Sequence, residues 1–112
     1  MDYNSLILIR GDTEKIKIRF LENGIAYTPK FIEESDIFTF TVRDKQTGQI
    51  VLQKSISYPD EIISINHEDT ASLNFKTYEY DIEYRKLDYS VVKTLVVGNL
   101  VIAKEVTYWW YV

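Results

Sequence analysis

Glu79, Asp81 and Glu83 are the residues whose spacing comes nearest to chemistry in this chain. A two-residue step along a strand puts carboxylates on one face about 6–7 Å apart, close enough in principle for glycoside cleavage. They alternate, however, with Tyr78, Tyr80, Ile82 and Tyr84. Such period-two alternation marks a strand with one buried and one wet side. The carboxylates form the wet side, and cross-strand Lys15, Lys17 and Arg19 are expected to neutralise them. The solvated-face reading outweighs a hydrolase, and no catalytic residue is assigned.

A second acidic cluster, His67-Glu68-Asp69 with Asp60-Glu61 nearby, invites a metal reading. A hard cation takes six or more oxygens, usually from a loop of fixed alternation, and no such loop is visible. The chain holds one histidine and no cysteine, too few for the common catalytic zinc sites and none for thiolate zinc. Polar residues capping a short helical turn explain the cluster better, so no metal and no cofactor is expected. Arg10-Gly11-Asp12 spells an adhesion tripeptide. The stronger reading is a turn between strands, with Gly11 supplying a permissive φ and Asp12 or Thr13 bonding the local backbone.

Tyr108-Trp109-Trp110-Tyr111 places four consecutive aromatics just before Val112. In a strand, Tyr108 and Trp110 share one face and Trp109 and Tyr111 the other, so one pair can enter a core while the second needs other cover. Clustered aromatics of this kind anchor protein interfaces and also stack on sugars. We assign the four as a candidate subunit interface. A carbohydrate-binding or adhesion module is the alternative, and complete burial in the core is the bland one.

These side chains need a frame, and composition bounds it. The 112 residues support one domain, 1–112, large enough for a core without metals or disulfides. Nine Tyr and five Phe with many Ile and Val favour strands. Alanine, the best helix former, occurs only at 26, 71 and 103. No apolar run approaches the ~18 residues of a membrane span, and no basic segment leads into a long apolar one as in a secretory signal. The net charge of −4, with both signs interspersed, argues against a nucleic-acid footprint.

Strand signals recur along the chain. Ser5–Ile9 is a short apolar run. Ile16, Ile18 and Phe20 alternate with Lys15, Lys17 and Arg19, predicting one strand over 15–20. Asn23-Gly24 is a turn dipeptide, and residues 33–36 read as a polar loop or a single helical turn. Phe38, Phe40 and Val42 alternate with Thr39, Thr41 and Arg43. Thr47-Gly48 turns the chain into a strand over 49–56, and 62–65 is another. Lys86-Leu87-Asp88 suits a tight connection, and Gly98-Asn99 predicts a hairpin between strands 91–97 and 100–107. About eight strands result. Asp69-Thr70 followed by Tyr78 suggests a tyrosine corner, in which the Tyr78 hydroxyl bonds the 67–73 segment.

Two groups of residues carry a family resemblance. One is Ile9-Arg10-Gly11-Asp12-Thr13 with the alternating strand after it. The other is Asp36-Ile37-Phe38-Thr39-Phe40-Thr41-Val42-Arg43, followed by Glu68-Asp69-Thr70, then Leu73 and Thr77-Tyr78-Glu79-Tyr80-Asp81-Ile82. Together they make residues 7–107 resemble the N-terminal β-sandwich domain of baseplate upper proteins of Gram-positive phages and prophages, and related small tail or neck proteins. The family often has a glycine before the Tyr-x-Tyr strand, where this chain has Lys76-Thr77. The resemblance implies a single antiparallel, immunoglobulin-like β-sandwich. It implies a non-enzymatic virion component of the tail, baseplate or connector, made in the host bacterial cytoplasm. Its partners would be itself, as a homo-oligomer, and other virion proteins, with no nucleic acid or membrane bound.

Overall fold

The computed structural model describes residues 2–30 and 32–104. In chain order they form β1 (Asp2–Tyr3), β2 (Leu6–Ile9), β3 (Glu14–Lys17), β4 (Phe20–Glu22) and β5 (Ile25–Tyr27). β6 (Ile37–Arg43), β7 (Ile50–Ser57), β8 (Ile62–Ile65), the single helical turn α1 (His67–Thr70), β9 (Thr77–Arg85) and β10 (Val92–Ala103) follow. The protein is all-β, as its composition predicts.

The alternating strands build the core. On β6, Phe38, Phe40 and Val42 are buried. Tyr78, Tyr80, Ile82 and Tyr84 are buried on β9, while Lys15, Lys17 and Arg19 stay in solvent. A one-residue slip would have exchanged these faces, so the pattern fixes the register. Ring contacts tie the two central strands, with Phe38 against Tyr84 and Phe40 against Tyr80, both at 5.6 Å between centroids. Leu8, Leu100 and Ile102 extend this core on one side. Ile63 and Ile65 of β8 close it on the other.

The main sheet is curled and mixed, in the order β1-β10-β9-β6-β7, with β2 following β1 along the same edge of β10. The antiparallel expectation holds for β10–β9, β9–β6 and β6–β7. It fails at the edge, where β1 and β2 pair parallel to β10. First and last strands are joined through the whole fold, so no hairpin forces them antiparallel. The ladder β3–β8 and the hairpin β4–β5 are separate antiparallel pairs.

Two boundaries differ from the predicted ones. The strand over 15–20 divides: Ile18 N–H still meets the Glu61 carbonyl at 2.8 Å in the β3–β8 register, but the ladder ends there and the chain enters the β4–β5 hairpin at Phe20. That hairpin turns at Asn23 and Gly24, both at positive φ (52° and 81°), as a two-residue turn requires. More consequential, Gly98-Asn99 makes no turn: β10 runs straight through it, opposite Tyr80 and Glu79. Gly98 serves close approach instead. A Cβ there would stand 1.5 Å from the Asn4 carbonyl oxygen and 3.0 Å from the Tyr80 ring, because the β1–β2 link crosses at that point. Asn4 N–H donates to the Val97 carbonyl at 2.9 Å beside it.

Candidate functional site

The Asp69-Thr70 corner is a joint between distant segments. Asp69 accepts the Asn66 N–H at 2.6 Å, closing α1. It also pairs with Lys54 of β7 at 2.9 Å. Burial opposes the Asp69 carboxylate, but the bonds from Lys54 and the Asn66 amide outweigh it and hold its pKa below the usual carboxylate value. Thr70 is fully buried, and its Oγ1 accepts the Gly11 N–H at 2.8 Å. The Gly11 carbonyl lies 2.6 Å from His67 Nδ1. The middle residue of the Arg10-Gly11-Asp12 turn is therefore held at both its N–H and its carbonyl, with Gly11 at φ 82°. Arg10 lays its guanidinium 4.1 Å from the centre of the Phe75 ring. The tripeptide is thus a clamped turn, with its glycine and arginine engaged inside the fold.

Tyr78 carries a corner of different address. Its hydroxyl donates to the Asn74 carbonyl at 3.2 Å and accepts the Asn74 N–H at 3.1 Å. The partner lies one residue past the expected 67–73 segment, because the chain between α1 and β9 makes another turn, with Leu73 N–H bonded to the Thr70 carbonyl, before rising into the strand. Where the resembling family often has glycine, Lys76 reaches Asp44 in an ion pair and sits 5.2 Å from the Tyr78 ring.

A third cluster lies where the sequence suggested only a polar loop. Asp36 is 3% exposed and accepts bonds from the Tyr84 hydroxyl (2.5 Å), the Glu33 N–H (2.9 Å) and Lys86 Nζ (3.1 Å). Burial pushes the carboxyl up, but these three donors prevail and its pKa is lowered. Burial, then the Asp36 hydrogen bond, raises the Tyr84 phenol. Burial works against the Lys86 ammonium, yet its bonds to Asp36 and Tyr84 raise its pKa. The signal available in sequence was Tyr84 itself: a buried tyrosine needs a partner for its hydroxyl. Nothing in the spacing named Asp36, 48 residues away.

The carboxylate row on β9 does not meet the cations expected of it. Glu79, Asp81 and Glu83 lie between Arg43, Thr41 and Thr39 of β6 and Asn99, Val97 and Thr94 of β10. Lys15 and Lys17 belong to the ladder with β8. Among the described residues the cation paired with this row is Arg43, 3.4 Å from Asp81. Partial burial raises the Asp81 pKa, Arg43 counters it, and Glu79 adds to it. Glu79 and Asp81, but not Glu83, line a shallow depression of about 370 Å³ with Thr41, Arg43, Lys45, Val97 and Asn99. The open depression does little to keep water from a bound group.

Among the described residues no three His, Cys, Asp or Glu gather as a metal cluster. No described helix is long and apolar enough to cross a membrane. The candidate interface residues Tyr108, Trp109, Trp110 and Tyr111 lie outside the described residues. Large apolar side chains are nonetheless exposed elsewhere, notably Ile7 on β2 (68%) and Leu21 and Ile25 on the β4–β5 hairpin (58% and 72%). Comparison of the chain with protein-family models, with curated proteins and with solved structures gives no match.

Proposed function

We propose that this chain is a non-enzymatic structural component of a phage or prophage virion, in the tail, baseplate or connector, working through protein–protein contacts as a homo-oligomer and with other virion proteins. The observation that carries the reading is the joint between Gly11 and the His67–Thr70 turn. The segments 9–13 and 68–70, on which the family resemblance rests, are more than fifty residues apart in sequence, yet they form one bonded unit. Exposed apolar groups on β2 and on the β4–β5 hairpin support a surface made for association.

The same reading takes the fold as an immunoglobulin-like sandwich. Support comes from an N-terminal strand parallel to the last strand, from β3 and β8 pairing apart from the main sheet with Ile63 and Ile65 of β8 in the core, and from a tyrosine bonded to backbone just upstream of its strand. The test is quantitative mass spectrometry of density-purified particles from a strain carrying the gene. The protein should co-purify at a fixed ratio to a tail protein. Recovery only in the particle-free fraction would overturn the proposal.

A further inference from the structure

The flank between β3 and β10 is open, and three features meet there. First, β3 pairs with β8 alone among the described residues, so its other edge presents unpaired backbone donors and acceptors. Second, a groove of about 670 Å³ runs along that edge, with Ile16 and Phe20 on one wall and Leu6, Leu95 and Val96 on the other. All five pack against the core yet remain only half-buried. Third, Lys15, Lys17 and Arg19 stand exposed at period two along the outer side of the same edge. Among the described residues these three make no ion pair.

We propose that this flank accepts an extended strand from another protein chain, with apolar residues facing inward and carboxylates facing outward. A strand added to the free edge of β3 takes its affinity from main-chain hydrogen bonds and its specificity from alternate side chains. Its inward residues would cover Ile16, Phe20, Leu6 and Leu95. Its outward residues would stand directly across from Lys15 and Lys17, with Arg19 just beyond the end of β3, where opposite charges attract and like charges repel. The uncompensated cations select an acidic donor over a basic one. Residues 14–18, β3 with Ile18 still in its register, give the edge a length of roughly 17 Å, which a donor of about seven residues covers with one residue to spare at each end. The inference deepens the assembly reading and rests on it for its biological setting.

The experiment is a fluorescence-anisotropy titration of the full chain with a labelled seven-residue peptide alternating Val or Ile with Glu. Binding should be at least tenfold tighter than for a scrambled peptide of the same composition, for the same peptide with Lys in place of Glu, and for one with a central proline, which lacks the N–H a ladder needs. The double change Lys15→Glu and Lys17→Glu is on an exposed face and should leave the fold intact by circular dichroism while reversing the preference toward the Lys peptide. Equal binding of the scrambled peptide, or an unchanged preference in the double variant, overturns the inference. Binding seen only after removal of residues 105–112 overturns it in favour of the chain's own C-terminal stretch, and competition by self-association overturns it in favour of a second copy. Failure of the peptide with the protein still present in particles leaves the assembly reading standing. Peptide binding with absence from particles does the reverse.

Discussion

Replacing Gly98 by alanine adds one methyl group where the chain crosses itself. The new Cβ would fall 1.5 Å from the Asn4 carbonyl oxygen and 2.6 Å from its carbon. Both are backbone atoms, so no side-chain rotation relieves the overlap, and the β1–β2 link must retreat by about 1.5 Å to reach the shortest tolerated separation. That retreat breaks the Asn4–Val97 bond and disturbs the register of Leu6 against Leu100. Overpacking costs about 1–3 kcal/mol, and the lost bond to the half-buried Val97 carbonyl about 1 kcal/mol more. We expect Gly98→Ala to lose about 2–4 kcal/mol overall. In urea, with a slope near 2 kcal/mol per molar, the midpoint should fall by roughly 1–2 M. Gly48→Ala is the control: φ is +73° with nothing within 4 Å, so it pays only left-handed strain of about 1 kcal/mol. Gly98→Asn separates crossing from turn, because a hairpin turn welcomes asparagine while the crossing rejects it more than alanine. Gly98→Ala no worse than Gly48→Ala, or Gly98→Asn milder than Gly98→Ala, would refute the reasoning.

Tyr78→Phe should cost about 1–2 kcal/mol by urea denaturation, since it strips a partner from both polar groups of the Asn74 backbone. Tyr84→Phe should cost about 1–3 kcal/mol, because Asp36 stays buried with one donor fewer. The lowered pKa of Asp36 fixes a sign: its contribution is present above the unfolded carboxylate range and lost as pH falls through its lower folded value. Wild-type stability should therefore drop below about pH 4, and Asp36→Asn should flatten that drop; an unchanged slope would contradict it. Asp81 runs the other way, as its raised pKa makes ionisation a cost that grows as pH rises from the unfolded value through the folded one. Asp81→Asn should accordingly steepen the acid-side loss, measured as midpoint against pH.

The core was legible because it is written in local alternation. Phe38, Phe40 and Val42 with Tyr78 through Tyr84 name their own faces, and a period of two leaves no freedom in assigning them. The Asn23-Gly24 turn was legible for the same reason, since few residues accept two positive φ angles. Gly98 was misread because glycine serves two ends, a turn and a close approach, and only the position of Asn4, more than ninety residues away, decides between them. The cations expected opposite Glu79 and Asp81 failed likewise: pairing partners of a strand are set by topology, and alternation within β3 says nothing about which ladder it joins. Thr70 and Asp69 were picked out as a corner from their type and place. What they hold, the Gly11 peptide and Lys54, is tertiary and carries no local mark. The Asp36–Tyr84–Lys86 cluster stayed hidden until the β6 and β9 ends were brought side by side.

Antibody labelling of whole particles by electron microscopy addresses the assembly claim most directly. An antibody raised against the folded chain, applied to particles from a strain carrying the gene, should mark discrete sites on the tail, baseplate or connector. A matched strain lacking the gene should give particles that are unlabelled and incomplete at those sites. Intact, infectious particles from the deletion strain, with all label in the soluble fraction of the producing strain, would contradict the account.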